Sequence, residues 1–347
     1  MDNSLFLLHS KVESETKHIE RMQICTWDIR NKKTCIEIGI EFCKDSLNTE
    51  KSYDIFFFAP WISNKCKIES LHEKFSDSDN AQFIFNEVVE SISPIDGSKH
   101  NGSIISFKNC ERKIAALKAS FLIEENGVLK ITFTNKSDKD VYPYIRFFIK
   151  TYENTFALFK GSISKNIFIF DFKINEKRNM PRTIIETIDK RNVECCDIKK
   201  ALILHIIPNT YEVVFIDDKK LENIRNLETN FFKKYLPNIN GMNNDSYITT
   251  FYKDNDKQSY SFFSIFSEEK IGAKQMMIAI FLNIICSALI ASSNIRNLFQ
   301  NEKFSFKLLP VEYTILLCMV IFLAATYSIK NVQKRLISLV NEKGEKK

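Results

Sequence analysis

The residues of this sequence best suited to proton transfer or metal ligation at neutral pH are five histidines: His9, His18, His72, His100 and His205. None stands one helical turn from another, and none has a cysteine at ligand spacing, so no metal site is expected. His205 lies within the apolar run ALILHIIP and reads as a core or strand-face histidine. Asp77 and Asp79, in FSDSDN, carry oxygen donors but lack the rest of a calcium-loop series, so they read as the cap of a following helix. Asp171 and Lys173 have the D-x-K spacing of some metal-dependent nucleases. The second acidic residue that magnesium coordination needs is missing, since Asp96 is distant and in a loop. Adjacent Cys195 and Cys196 read as an exposed vicinal pair without zinc-ligand spacing. No phosphate-cradling glycine motif and no nucleophile elbow is present. Catalytic, cofactor and metal residues are therefore all expected to be absent, and the chain reads as non-enzymatic.

Composition narrows the field further. The chain has 347 residues, 49 Lys+Arg against 43 Asp+Glu, and a formal net charge of +6. Basic residues are interleaved with acidic ones, and the aromatics sit at strand-core spacing rather than beside Lys/Arg clusters, so no nucleic-acid partner is expected. Only 8 glycines argue against folds that depend on Gly-rich turns. Of nine cysteines, seven irregularly spaced ones before residue 276 read as reduced thiols of a cytoplasmic domain, and Cys286 and Cys318 fall in the apolar runs of the carboxyl-terminal fifth.

Period-two alternation dominates residues 20–268. It predicts strands at 34–42, 53–61, 142–151, 166–174, 201–207, 211–216, 247–252 and 260–266. Two more strands are expected to meet in a hairpin about Asn126-Gly127, a dipeptide suited to the positive φ angles of a type I′ turn. A second hairpin is expected to join 247–252 to 260–266. Helices are expected at 80–92 and at 218–235, with residues 173–197 a surface loop. On the second helix Lys220, Glu222, Arg225 and Lys233 are candidates for a partner-binding face. The fold class that follows is α+β and mostly β: an antiparallel β-sandwich-like domain with one or two packed helices, and a possible subdivision near 175–200.

The carboxyl-terminal fifth reads differently. Residues 276–293 carry no charge, and residues 308–329 carry one, Glu312. Both runs have the length that a helix needs to span a bilayer, so a two-helix transmembrane hairpin is expected at 274–293 and 308–330. The segments around it are 1–19, an amino-terminal segment, 294–307, an external loop, and 331–347, a basic tail. Basic residues concentrate on the outer flanks, which predicts an inner-membrane protein with both termini cytoplasmic. Asn283, Ser287, Ala288, Ala291, Glu312, Ala324 and Ala325 are the expected hairpin packing residues, available for homo-oligomerisation. Lys330, Lys334 and Arg335 are expected at the lipid surface.

The functional expectation joins the two parts. A cytoplasmic β-rich domain recognises a protein partner or an unknown ligand, and the hairpin binds the lipid bilayer and assembles with copies of itself. In domain order, though in no sequence motif, the chain resembles the two-helix membrane effectors of bacterial anti-phage systems, which implies a sensor coupled to membrane disruption. The alternative is a membrane-tethered scaffold or assembly subunit without switching.

Overall fold

The structure is a computed structural model that describes residues 3–11, 18–29, 33–124, 127–138, 140–151, 156–162, 164–216, 221–227, 235, 247–255, 259–270, 275–276 and 278–287. The chain divides into two units, residues 1–270 and 271–347. The first unit is built from strands. Its first half holds β1 (Asn3–Ser10), β2 (His18–Ile29), β3 (Lys33–Phe42), β4 (Ser52–Phe58), β5 (Lys67–Ser70), α1 (Ser78–Phe85), β6 (Val89–Pro94), β7 (Gly102–Phe107), β8 (Lys113–Leu117), β9 (Ala119–Ile123) and β10 (Val128–Thr134). Then come β11 (Tyr142–Lys150), β12 (Ala157–Gly161), β13 (Lys165–Ile174), α2 (Arg182–Arg191), β14 (Val193–Cys195), β15 (Asp197–Ile198), β16 (Lys200–Pro208), β17 (Tyr211–Ile216), β18 (Leu221–Leu227), β19 (Tyr247–Asn255) and β20 (Tyr260–Glu269).

Among the described residues these strands form two sheets. The first runs β17-β20-β13-β1-β4-β10-β9, with β12 beside β13 and β14 beside β1. The second runs β18-β19-β16-β2-β3-β11-β8-β7-β6, with β15 beside β2 and β5 beside β11. Alternation decides what faces what. In β3, Ile36, Ile38, Ile40 and Phe42 point inward, while Glu37, Gly39 and Glu41 take the opposite face. The inward set meets Leu5, Leu7, Phe170, Phe172 and Phe266 of the first sheet in one continuous core. Each such side chain, fully buried, contributes about 1.5–3 kcal/mol. The outer face of the second sheet carries its own buried cluster, shared with α1 and including Trp27, Phe75, Phe85, Tyr144 and Tyr235. Part of the first sheet's outer face is covered too, where Phe6, Leu8, Phe56 and Phe58 pack on Ile184 of α2.

The mostly β, two-sheet fold with few helices is the one expected, but several finer expectations need correction. The sheets are not purely antiparallel: β1 lies parallel to β13, β2 to β15 and β16, and β8 to β11. Strands from late in the chain pair with early ones, so long crossovers stand beside hairpins such as β2–β3 and β6–β7. The hairpin at Gly127 forms, with φ 75° at Gly127 and Leu129 opposite Ile123. The other does not, because β19 pairs with β16 and β18 whereas β20 pairs with β13 and β17. Helix α1 stops at Phe85, where Asn86 turns left-handed (φ 56°), and β-branched Val89 begins a strand. Its start is as expected: the Asp77 carboxylate accepts from the Asp79 and Asn80 amides at 2.9 and 3.3 Å. The segment 173–197 holds α2 rather than loop alone.

The second expected helix is replaced by a strand. Residues 221–227 pair with β19, and the three-residue spacing of Leu221, Ile224 and Leu227 yields to that pairing. Glu222 and Arg225 therefore lie on β18 and not on a helical face, while Lys220 and Lys233 lie outside the described residues. The transmembrane hairpin is likewise corrected. Among the described residues no helix is long and apolar enough to cross a membrane. In the second unit, residues 278–287 are helical, and residues 288–347, where the remainder of the expected hairpin falls, lie outside the described residues. Asn283 and Ser287 fall in this helix; Ala288, Ala291, Glu312, Ala324, Ala325, Lys330, Lys334 and Arg335 lie outside the described residues. The resemblance in layout to membrane effectors, and the inner-membrane assignment, rested on those two spans.

His205, on β16, points into the core between the sheets, as its apolar neighbours suggested. It is 1 % exposed, with Phe170 4.7 Å from its ring centroid. Nδ1 lies 2.7 Å from Thr26 Oγ1 and Nε2 lies 3.3 Å from Ser264 Oγ, so a neutral ring finds both a donor and an acceptor. Burial pulls the imidazole down to about 3 from an ordinary 6.5. A folded-state value below the unfolded one stabilises the fold above pH 6.5 and is lost as pH falls toward about 3. Urea unfolding of the wild type should therefore lose up to about 1.4 kcal/mol per pH unit to this residue across that window. His205→Gln should lack that component, and equal slopes for the two proteins would refute it.

Candidate functional site

The chemistry-bearing side chains gather on the outer face of the second sheet. Strand register brings them together. Arg21 of β2 faces Glu41 of β3 and Tyr144 of β11 in one row. Gln23, Gly39 and Arg146 make the next, and Cys25, Glu37 and Phe148 the third. Each row is one residue pair further along the same pleat, so all these side chains project to one side.

At the buried end stands an ion pair. Arg146 Nη2 lies 2.5 Å from Glu37 Oε2, with the two side chains 1 % and 0 % exposed. Arg146 Nε donates to Glu37 Oε2 at 2.7 Å and to Tyr235 Oη at 3.1 Å, and Tyr235 Oη donates to Glu37 Oε2 at 2.9 Å. Arg146 Nη1 donates to Gln23 Oε1 and Tyr144 Oη at 3.1 and 3.0 Å. Gly39 makes room for this convergence, since a Cβ there would overlap Tyr144 Oη and touch Arg146 and Gln23. The Tyr235 ring stacks on Trp27 at 6.0 Å and closes the cluster. Burial pushes the Glu37 carboxyl up, opposed by the Arg146 guanidinium. Burial opposes the charge of Arg146, but the Tyr144, Tyr235 and Glu37 oxygens outweigh it and hold the guanidinium proton firmly. The phenols of Tyr144 and Tyr235 are pushed up by burial.

At the open end the same face widens into a cleft of about 390 Å³, lined by Glu20, Arg21, Glu87, Arg112, Tyr142 and Lys200. Two of its lining residues, Arg21 and Arg112, are paired with Glu41, whose side chain is fully buried. Two guanidiniums converge on that carboxylate: Arg21 Nη2 at 3.0 Å, and Arg112, whose Nη2 donates to the other oxygen. Arg112 also stands 3.6 Å from Glu87 and lies over the Tyr142 ring. Glu20 is taken by Lys199 at 3.0 Å and Lys200 at 3.8 Å. Against the cost of burial, Lys199 and the Cys43 thiol hold Glu20 below the usual carboxylate range. Four cations (Arg21, Arg112, Lys199, Lys200) thus meet three carboxylates (Glu20, Glu41, Glu87), a surplus of one positive charge.

Other arrangements have less chemistry in them. His72 Nδ1 lies 3.0 Å from Ser70 Oγ while Nε2 donates to the His100 carbonyl at 3.0 Å. No carboxylate orients the ring, and burial pulls its pKa down, so the pair ties two turns together. Asp171 and Lys173 pair with each other at 3.6 Å. Cys196 is buried and Cys195 half-buried, which corrects the expectation of an exposed vicinal pair: one of the two points into the core. Among the described residues no group of three or more His, Cys, Asp or Glu side chains is placed to hold a metal ion.

None of the cleft residues was singled out from the sequence. Glu37 and Glu41 read as the solvent side of a half-buried strand, because alternation names a polar face but not what covers it. The usable signal was the coincidence of ionisable residues of both signs, Arg21, Glu37, Glu41 and Arg146, on strands otherwise rich in apolar residues.

The buried pair yields a stability test. Arg146→Met strands a buried carboxylate and should cost about 3–5 kcal/mol in urea unfolding. Adding Glu37→Gln should recover most of that loss, because the neutral amide keeps a partner in Tyr235. A double variant as unstable as the single one would show that packing rather than charge pairing governs this site. No protein-family model matches the chain, and no curated protein matches its sequence.

Proposed function

We propose that this chain is a non-enzymatic recognition protein whose β-rich unit takes a small polar ligand, through an anionic group, in the cleft above Glu41. One observation carries the reading: two guanidiniums are held side by side by a single fully buried carboxylate. A carboxylate in that position fixes the two forks in place before a ligand arrives, which lowers the ordering cost of binding. The guanidinium fork suits bidentate contact with carboxylate or phosphate oxygens. The surplus positive charge favours an anion over a cation, and the Tyr142 ring offers a flat apolar wall beside the charged groups. A volume of about 390 Å³ suits a small ligand. The reaction chemistry of an enzyme finds no support in the cleft, whose carboxylates are all engaged by cations. A second reading, an assembly subunit, is favoured by exposed apolar side chains at two strand edges, including Leu158, Phe159, Val214 and Phe215.

Thermal unfolding of the full chain with inorganic phosphate, inorganic pyrophosphate and choline chloride tests the ligand reading. The two anions should raise Tm by a few degrees at saturating concentration and choline should not. Arg112→Gln should lower the unliganded Tm, because Glu41 keeps Arg21 alone, and should abolish the rise on adding either anion. An identical response in wild type and variant, or none to either anion, would remove the basis for the proposal.

A further inference from the structure

The outer face of the first sheet is covered by α2 only over β1, β4 and β10. Among the described residues no helix packs on it over β12, β13, β20 and β17. Register lines up its side chains: Phe215 of β17 opposes Ile265 of β20, Ile265 opposes Ile169 of β13, and Ile169 opposes Leu158 of β12. This is an unbroken apolar row across four strands. Phe215 is 49 % and Leu158 46 % exposed, at its two ends. Phe263, 40 % exposed, packs edge-on against Phe215 with ring centroids 5.9 Å apart. The neighbouring row reads Glu212, Ser267, Ile167, Lys160 from one edge to the other. It therefore ends in a negative charge at the β17 edge and a positive charge at the β12 edge, both exposed.

We propose that this face docks a second copy of the same chain. The charge layout specifies the geometry. A two-fold axis running parallel to the strands, between two such faces, reverses the strand order of one relative to the other. The apolar row then lies on its own reversed copy, Phe215 over Leu158 and Ile169 over Ile265. Glu212 meets Lys160 of the second copy and Lys160 meets its Glu212, so both ends of the polar row gain an opposite charge. An axis perpendicular to the strands gives no such match, since it sets the polar row against the row of Phe263 and Asp171. Aligned stacking of two twisted sheets at about 30° is the ordinary way such faces pack. Strands of five to ten residues at the usual spacing make a face of roughly 300–600 Å², at the small end for one side of a specific interface. The association is accordingly weak and reversible. The inference is independent of the cleft, which lies on the other sheet.

Sedimentation velocity of the full chain over a concentration series tests it. The wild type should show a concentration-dependent monomer–dimer equilibrium. Ile169→Lys, placing a charge in the middle of the row, should weaken association by at least about tenfold. Glu212→Lys and Lys160→Glu should each weaken it by about tenfold through like-charge contacts, and the double exchange should restore it to near wild type. Circular dichroism melts close to wild type establish that the variants fold. A chain that stays monomeric throughout overturns the proposal. So does a double exchange no better than its parents, or association that survives Ile169→Lys, which would place the contact between copies elsewhere.

Discussion

A guanidinium and a carboxylate held away from water in the middle of a sheet face set the terms for everything around them. Neither Arg146 nor Glu37 can be left alone there, because an unpaired buried charge costs several kcal/mol. Each neighbouring feature answers that requirement. Gly39 gives up its side chain so that the groups can meet, Gln23 and Tyr144 accept from Arg146 Nη1, and Tyr235 bridges both partners while its ring stacks on Trp27. Strand pairing enforces the same arrangement: β3 lies between β2 and β11, so its polar residues are necessarily flanked by theirs.

The open cleft continues this arrangement on the same pleat. Glu41 repeats the role of Glu37 two rows away, but with a surplus of cations around it. Tyr144 couples the two ends, since its ring side packs near Phe75 and Phe85 while its hydroxyl sits on Arg146. A ligand in the cleft would thus rest on side chains that are already immobilised. That is the physical difference between this cleft and a patch of surface lysines.

Much of the fold was legible along the chain because strand alternation is a local property. The alternation of Ile36, Ile38 and Ile40, the Gly127 turn, the Asp77 cap and the interior position of His205 all follow from neighbours a few residues away. What was not legible depends on distant pairing. Leu221, Ile224 and Leu227 satisfy a helical spacing, and only the presence of β19 makes 221–227 a strand. Val88, Val89 and Ile92 likewise continue a helical stripe on paper, although β7 draws Val89 and Ile92 into a strand. The cleft escaped notice for a related reason: a polar strand face reads as solvent-facing until what packs on it, α1 among others, is known.

The position of β1 and β2 carries a consequence for how the molecule comes into being. Both are interior strands, one in each sheet, and their outer neighbours β13, β16, β19 and β20 are encoded more than a hundred residues downstream. Translation at about 5–20 residues per second leaves these early ribbons with bare amide edges for on the order of ten seconds or more. Through that interval the nascent chain is a template for wrong partners, and its many sequence-distant pairings make final assembly slow. The strand order itself thus sets how long the nascent chain stays open to mispairing.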